Sequence, residues 1–135
     1  MTLRIATLLL AVTSLFTLGC GGDGKHLITG TVTYDGQLVE KGQISFLPVA
    51  GDGAPEGSPI VDGKFEFRAT PGQKRVEIRG SRAVPPERQT NPEMGLMYED
   101  FIPAQFNRES TLTTEVGGNS DGDFDFALTS TAAEN

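Results

Sequence analysis

From Leu27 onward, apolar and polar residues alternate with a period of two, the pattern of strands buried on one face. The first run sets Ile28, Gly30, Val32 and Tyr34 on one parity and Thr29, Thr31 and Thr33 on the other. Asp35–Gly36 then reads as a turn. A second run, Gly42 to Pro48, puts Ile44 and Phe46 on one face and stops at Pro48, which has no N–H to give a ladder. Residues 49–57 are loop by composition. Ser58 to Val61 and Lys64 to Arg68 flank Asp62–Gly63, a two-residue hairpin signal that turns Phe65 and Phe67 inward and Lys64, Glu66 and Arg68 outward. After Thr70–Pro71–Gly72, the run Gln73 to Arg79 points Val76 and Ile78 at the core and Arg75, Glu77 and Arg79 at water.

Two more runs close the chain. Ser110 to Val116 carries Leu112, Thr114 and Val116 on one face, and Asp123 to Leu128 carries Phe124, Phe126 and Leu128. A loose hairpin over residues 117–122 is expected to join them, with a polar tail over 129–135. Gly80 to Glu109 interrupts the alternation and is long for a connection. Asn91–Pro92–Glu93 has the residue types of a helical start, with Asn as cap and Pro first. Met94, Leu96, Met97, Tyr98, Phe101, Ile102 and Phe106 give that segment enough apolar surface to pack down. Seven short strands, each with one apolar face, need a second layer to cover them. The expected fold is therefore all-β, a seven-stranded Greek-key sandwich of transthyretin-like or immunoglobulin-like form over residues 27–128.

The N-terminus follows different rules. Arg4 is the one charge before an uncharged, apolar run from Ile5 to Leu18, 14 residues long. A bilayer-spanning helix needs about 20 residues, so this length suits a cleavable signal core instead. Thr17–Leu18–Gly19–Cys20 follows, and Cys20 is the single cysteine of the chain. The stretch resembles the lipobox of bacterial lipoprotein signal peptides, with Gly19 and Cys20 at its two most restrictive positions and Thr17 where Leu is usual. The resemblance implies cleavage after Gly19, so that residues 1–19 are the signal peptide. It also implies diacylglycerol on the Cys20 sulfur and acylation of the new amino terminus. Two or more acyl chains anchor stably where one holds weakly. The alternative is ordinary secretory cleavage near Gly19, leaving a free thiol. Residues 20–26 would form a short, Gly-rich tether that holds the domain close to the inner or outer membrane of a cell envelope, facing the periplasm.

Composition narrows the function. The chain has 135 residues, room for one domain, and a formal charge of −7. That charge argues against nucleic acid as a partner. One cysteine permits no internal disulfide and no structural zinc cluster. His26 is the only histidine, so histidine-based catalysis and a histidine metal site lack partners. Asp121, Asp123 and Asp125 alternate, but the segment lacks the glutamate of a calcium loop and reads as the outward parity of a strand. No cofactor is expected. Lys74, Arg75, Arg79, Arg82 and Arg88 fall within 15 residues and form a candidate patch for an anionic partner. Such a partner would be a cell-wall polymer, a lipopolysaccharide or the acidic face of an envelope protein. The bland reading of the same residues is an exposed strand and loop interspersed with Glu77 and Glu87.

The stretch ITGTVTYDGQLVEKGQISFLPV resembles the opening of carboxypeptidase regulatory-like domains, a family of transthyretin-like sandwiches. Gly30, Val32, Asp35, Gly36, Leu38, Val39, Gly42, Ile44 and Phe46 carry the likeness. DGKFEF and PGQKRVEIRG are similar to its middle strands, and FIPAQFNRESTLTTEV with FDFAL to its end in short planctomycete lipoproteins. The resemblance implies a fold and an envelope location, and no chemistry. Transthyretin-like hydroxyisourate hydrolases use several histidines and a C-terminal Tyr-Arg-Gly-Ser, and this chain has neither. The expectation is a non-enzymatic lipoprotein for adhesion, scaffolding or protein binding. The second expectation is a small-molecule or glycan site in the segment 80–109, marked by a deep pocket lined by Met94, Met97, Tyr98 and Phe101, and the third is a hydrolase, which would need a cleft where two carboxylates converge with a base or a bound metal.

Overall fold

The computed structural model describes residues 24–51, 53–91, 93, 95–118 and 122–131. The signal segment, the cleavage point at Gly19 and Cys20 lie outside the described residues. The described chain is all-β and has no α-helix. Its strands are β1 (His26–Tyr34), β2 (Gln37–Leu38), β3 (Lys41–Pro48), β4 (Glu56–Val61), β5 (Lys64–Ala69), β6 (Gly72–Ala83), β7 (Tyr98–Asp100), β8 (Thr113–Val116) and β9 (Asp123–Leu128). Every run read from the alternation forms a strand; the short β2 and β7 are additions.

The Asp–Gly turns behave as their residue types require. Asp35 and Gly36 have φ of 49° and 79°, and Asp62 and Gly63 have φ of 50° and 76°. Two successive left-handed residues give a turn whose twist matches that of the paired strands. The first closes β1 on β2, and the second closes β4 on β5.

The strands form one sheet in the order β2-β1-β5-β4-β3-β6-β7, with β9 added to β1 and β8 to β6. All pairs are antiparallel except β1–β9, which runs parallel with Thr29 opposite Asp123 and Tyr34 opposite Leu128. Since β5 and β9 both pair with Thr29 to Thr31, they occupy opposite sides of β1. The sheet is curled. In a flat sheet β3 and β9 would lie four strands, or about 19 Å, apart. Instead the Phe46 ring of β3 meets Phe124 and Phe126 of β9 at 5.9 and 6.3 Å between centroids, both edge-on. Phe67 of β5 reaches the same ring at 5.0 Å. Around this aromatic centre Ile28, Val32, Ile44, Ile60, Val76 and Ile78 are buried.

Several expectations need correction. The strands β8 and β9 do not form a hairpin: β8 pairs with β6 and β9 crosses to β1. That crossing puts the apolar row of β9 onto Phe46, whereas a local hairpin would leave the row on the margin. The strand predicted to stop at Arg79 continues to Ala83. Gly80 reads as a breaker in sequence, yet it is buried there, because a Cβ would press on Ile102 and Phe101. Of the apolar residues expected to pack down in the segment 80–109, Ile102 is buried and Phe101 and Phe106 are half-buried. Leu96, Met97 and Tyr98 are exposed, and Met94 and Pro92 lie outside the described residues. The Glu93 N–H donates to Asn91 Oδ1 at 3.2 Å, the local bond of a capping Asn, and short 3-10 helices form at Pro86–Arg88 and Ala104–Phe106. His26, assigned to the tether, is the first residue of β1.

Candidate functional site

At the start of β1 the chain is held by charge. Lys25 Nζ sits 3.0 Å from Glu56 Oε1, and the Lys25 carbonyl accepts a bond from Arg68. Glu56 Oε2 accepts the Thr70 N–H at 2.9 Å, the Thr70 hydroxyl at 3.0 Å and Lys74 Nζ at 3.3 Å. Lys74 also donates to Thr70 Oγ1 at 2.7 Å. Burial alone would push the Glu56 carboxyl up. The Thr70 N–H, Lys25, the Thr70 hydroxyl and Lys74 together outweigh it and bring the pKa from 4.5 down to about 2.

The five clustered cations do not share one face. Lys74 shares the inward parity of Val76 and Ile78 and is 1% exposed, so it belongs to the Glu56 cluster and not to the surface. Arg75 and Arg79 lie on the outer parity of β6, where Arg75 is paired with Glu77 at 2.9 Å. Arg82 and Arg88 converge on Glu99 of β7. Arg82 Nε and Arg88 Nη2 both approach Oε1 at 2.9 Å, and Arg88 Nη1 reaches Oε2 at 3.2 Å. Those bonds, Arg88 first, hold the Glu99 carboxyl below the ordinary range. The sequence run spreads over an inner face, an outer face and a projecting arm, and most of its charge is met by carboxylates.

At the far end of β1 a cleft of ≈ 460 Å³ opens between the Asp35–Gly36 turn and the arm formed by β6 and β7. One wall is aromatic: Tyr34 and Phe101 meet edge-on at 5.6 Å. Arg82 lies over the Phe101 ring at 5.3 Å while bonded to Glu99. Asp35, Gln37 and Glu40 supply acceptors on the opposite wall, and Ser81 a hydroxyl. One Asp35 oxygen is already used by the Ser130 N–H at 2.7 Å, which ties down the start of the C-terminal tail. Apolar rings beside carboxylates and a guanidinium suit a hydroxyl-rich ligand. From the segment 80–109 the cleft takes Ser81, Arg82 and Phe101 but not Met97 or Tyr98: Tyr98 lies beside Lys41, whose Nζ is 4.9 Å from its ring centroid.

Among the described residues, no three His, Cys, Asp or Glu side chains converge as a metal site requires, and no helix is long and apolar enough to cross a membrane. Asp123 and Asp125 are exposed on the outer face, where they accept bonds from the Thr29 and Thr31 hydroxyls. Comparison with known families, with characterised proteins and with solved structures returns no match for this chain.

Sequence reasoning missed Glu56 and Glu99. The signal for the first was present, since Lys74 occupies an inward position and a buried ammonium demands a carboxylate. Glu99 had no such signal, because β7 exists only through its pairing with the extended end of β6.

Proposed function

We propose that this chain is a non-enzymatic envelope lipoprotein. In this reading residues 1–19 are removed, acylated Cys20 holds the chain to a membrane, and a carboxypeptidase regulatory-like, transthyretin-like Greek-key sandwich is displayed for adhesion, scaffolding or binding of an envelope protein or cell-wall polymer. Nucleic acid is not a partner. The observation that carries the reading is the fastening of Lys25 to Glu56, which leaves only residues 21–24 between the lipid attachment and the ordered domain. Four extended residues reach about 14 Å. From there β1 runs eight residue steps, about 26 Å, to the cleft beside Tyr34. The cleft and the arm therefore lie at the opposite end of β1 from the lipid attachment, where a tethered module can meet its partner.

The anchor is tested on protein expressed in a bacterium and recovered from membranes. Mass spectrometry of the N-terminal peptide is expected to begin at an acylated Cys20, and Cys20→Ser to move the protein to the soluble fraction. An unmodified Cys20 on a soluble mature chain would overturn the anchor. The second reading, a glycan or other hydroxyl-rich ligand in the cleft, is favoured by the Tyr34–Phe101 wall beside Arg82. It requires that Phe101→Ala abolish retention on immobilised cell-wall saccharide.

A further inference from the structure

We propose that the outer edge of β9 is a docking site for an extended segment of a partner protein in which Lys or Arg alternates with apolar residues. The segment would bind by adding a strand to the sheet. This names the partner class for the protein-binding reading above and rests on that reading, but not on the lipid anchor.

Backbone geometry supplies the first argument. The Thr29 N–H donates to the Gly122 carbonyl at 2.7 Å and the Asp35 N–H to the Leu128 carbonyl at 2.9 Å. In a parallel pair alternate residues face the partner, so the even residues of β9 bond to β1. Asp123, Asp125 and Ala127 turn their N–H and C=O groups the other way. Among the described residues those groups meet no backbone or side-chain partner. They form a row of unmet donors and acceptors of the kind that templates strand addition.

Burial supplies the second. On β1, Ile28 and Val32 are fully buried, whereas Phe124 and Phe126, one strand outward, are only half-buried. Beyond them a groove of ≈ 320 Å³ separates the end of β9 from the segment 105–112, with half-buried Phe106 and Leu112 on its far wall. Apolar side chains of an added strand would cover these rings and complete the core on the side where it is thinnest.

Charge selects the occupant. The outward side chains on this edge include two carboxylates, Asp123 and Asp125, held upright by Thr29 and Thr31. On that face Lys64, whose β1 neighbour Thr31 is also the neighbour of Asp125, is two strands away on β5. A second copy of the chain pairing β9 against β9 would bring these carboxylates together with no cation between them, and each copy carries −7. A segment with cations at alternate positions matches them, and its intervening apolar residues match the groove.

The test uses the full chain in detergent micelles and two synthetic hexapeptides, one alternating Lys with Val and one alternating Glu with Val. Titration followed by amide NMR is expected to perturb and protect the amides of Asp123, Asp125 and Ala127 with the Lys peptide only. Ala127→Pro removes one outward N–H and no bond to β1, and is expected to weaken binding roughly tenfold or more. Asp123→Asn with Asp125→Asn, which keeps the strand and its shape, is expected to weaken the Lys peptide by roughly fivefold to tenfold and to flatten its salt dependence. Equal binding of both peptides, perturbation confined to other strands, or concentration-dependent dimerisation through β9 instead of peptide binding overturns the proposal. Peptide binding by a chain found without its lipid would leave the edge standing and remove the anchor alone.

Discussion

Lys74 illustrates how much one position can carry. Its stem fills a core site between strands, and its ammonium is satisfied only because Glu56 and Thr70 meet it. Breaking a buried pair by removing one partner leaves an uncompensated charge, and the cost exceeds the net value of the pair. Glu56→Ala is therefore expected to cost about 2–4 kcal/mol in chemical denaturation. Adding Lys74→Met to that variant should recover most of the loss, because the stranded ammonium is gone. The same carboxylate makes stability pH-dependent. Its folded pKa is about 2, below the ordinary 4.5, so the folded state favours the ionised form. The stabilisation is complete above about pH 5 and fades as the pH falls toward 2. It amounts to on the order of 1–2 kcal/mol once solvent screening is allowed for. Denaturation midpoints at pH 7, 4 and 3 check it, and Glu56→Gln should flatten that part of the profile.

At the level of elements, the two Asp–Gly turns share one backbone shape but stand in different surroundings. A Cβ at Gly36 would meet open space, whereas one at Gly63 would run into the side chain of Leu38. Gly36→Ala is expected to cost about 1 kcal/mol, the price of a left-handed residue with a side chain. Gly63→Ala adds the clash and should cost about 2–3 kcal/mol. Equal losses would mean that the Leu38 contact does not constrain the turn. Gly30 is a third case: a Cβ there would collide with the Phe124 carbonyl and the Phe65 ring. The glycine sits at an inward position because the β9 backbone and one aromatic ring already occupy the space a Cβ would need. Elements of this kind were legible in the chain, since alternation and turn chemistry act over a few residues. The pairing of β6 with β7 was not, because neither strand carries a mark of the other.

For the whole molecule, Phe46 joins distant parts of the curl. It touches rings from β5 and from β9, strands separated from β3 along the sheet. Phe46→Ala is expected to cost about 3–5 kcal/mol in unfolding free energy and to raise amide exchange along β9 more than along β3. A loss confined to β3 would mean that the aromatic contacts do not close the sheet. The same scale decides where charge ends up. Cations that are neighbours in sequence separate onto the inner face, the outer face and the arm: Lys74 meets Glu56 of β4, Arg82 and Arg88 meet Glu99 of β7, and Arg75 meets Glu77 two residues along its own strand.

The amino-acid order by itself determined the all-β class, the seven main strands, the parity of their core residues and the two tight turns. Each of these depends on dihedral preferences and burial within a short window. Only the tertiary structure decided that β9 lies parallel to β1 and leaves an open edge, that Gly80 lets β6 continue, and that Lys74 is internal. Those outcomes depend on which distant surfaces meet, and a period of two says which way a side chain faces without saying what it will face.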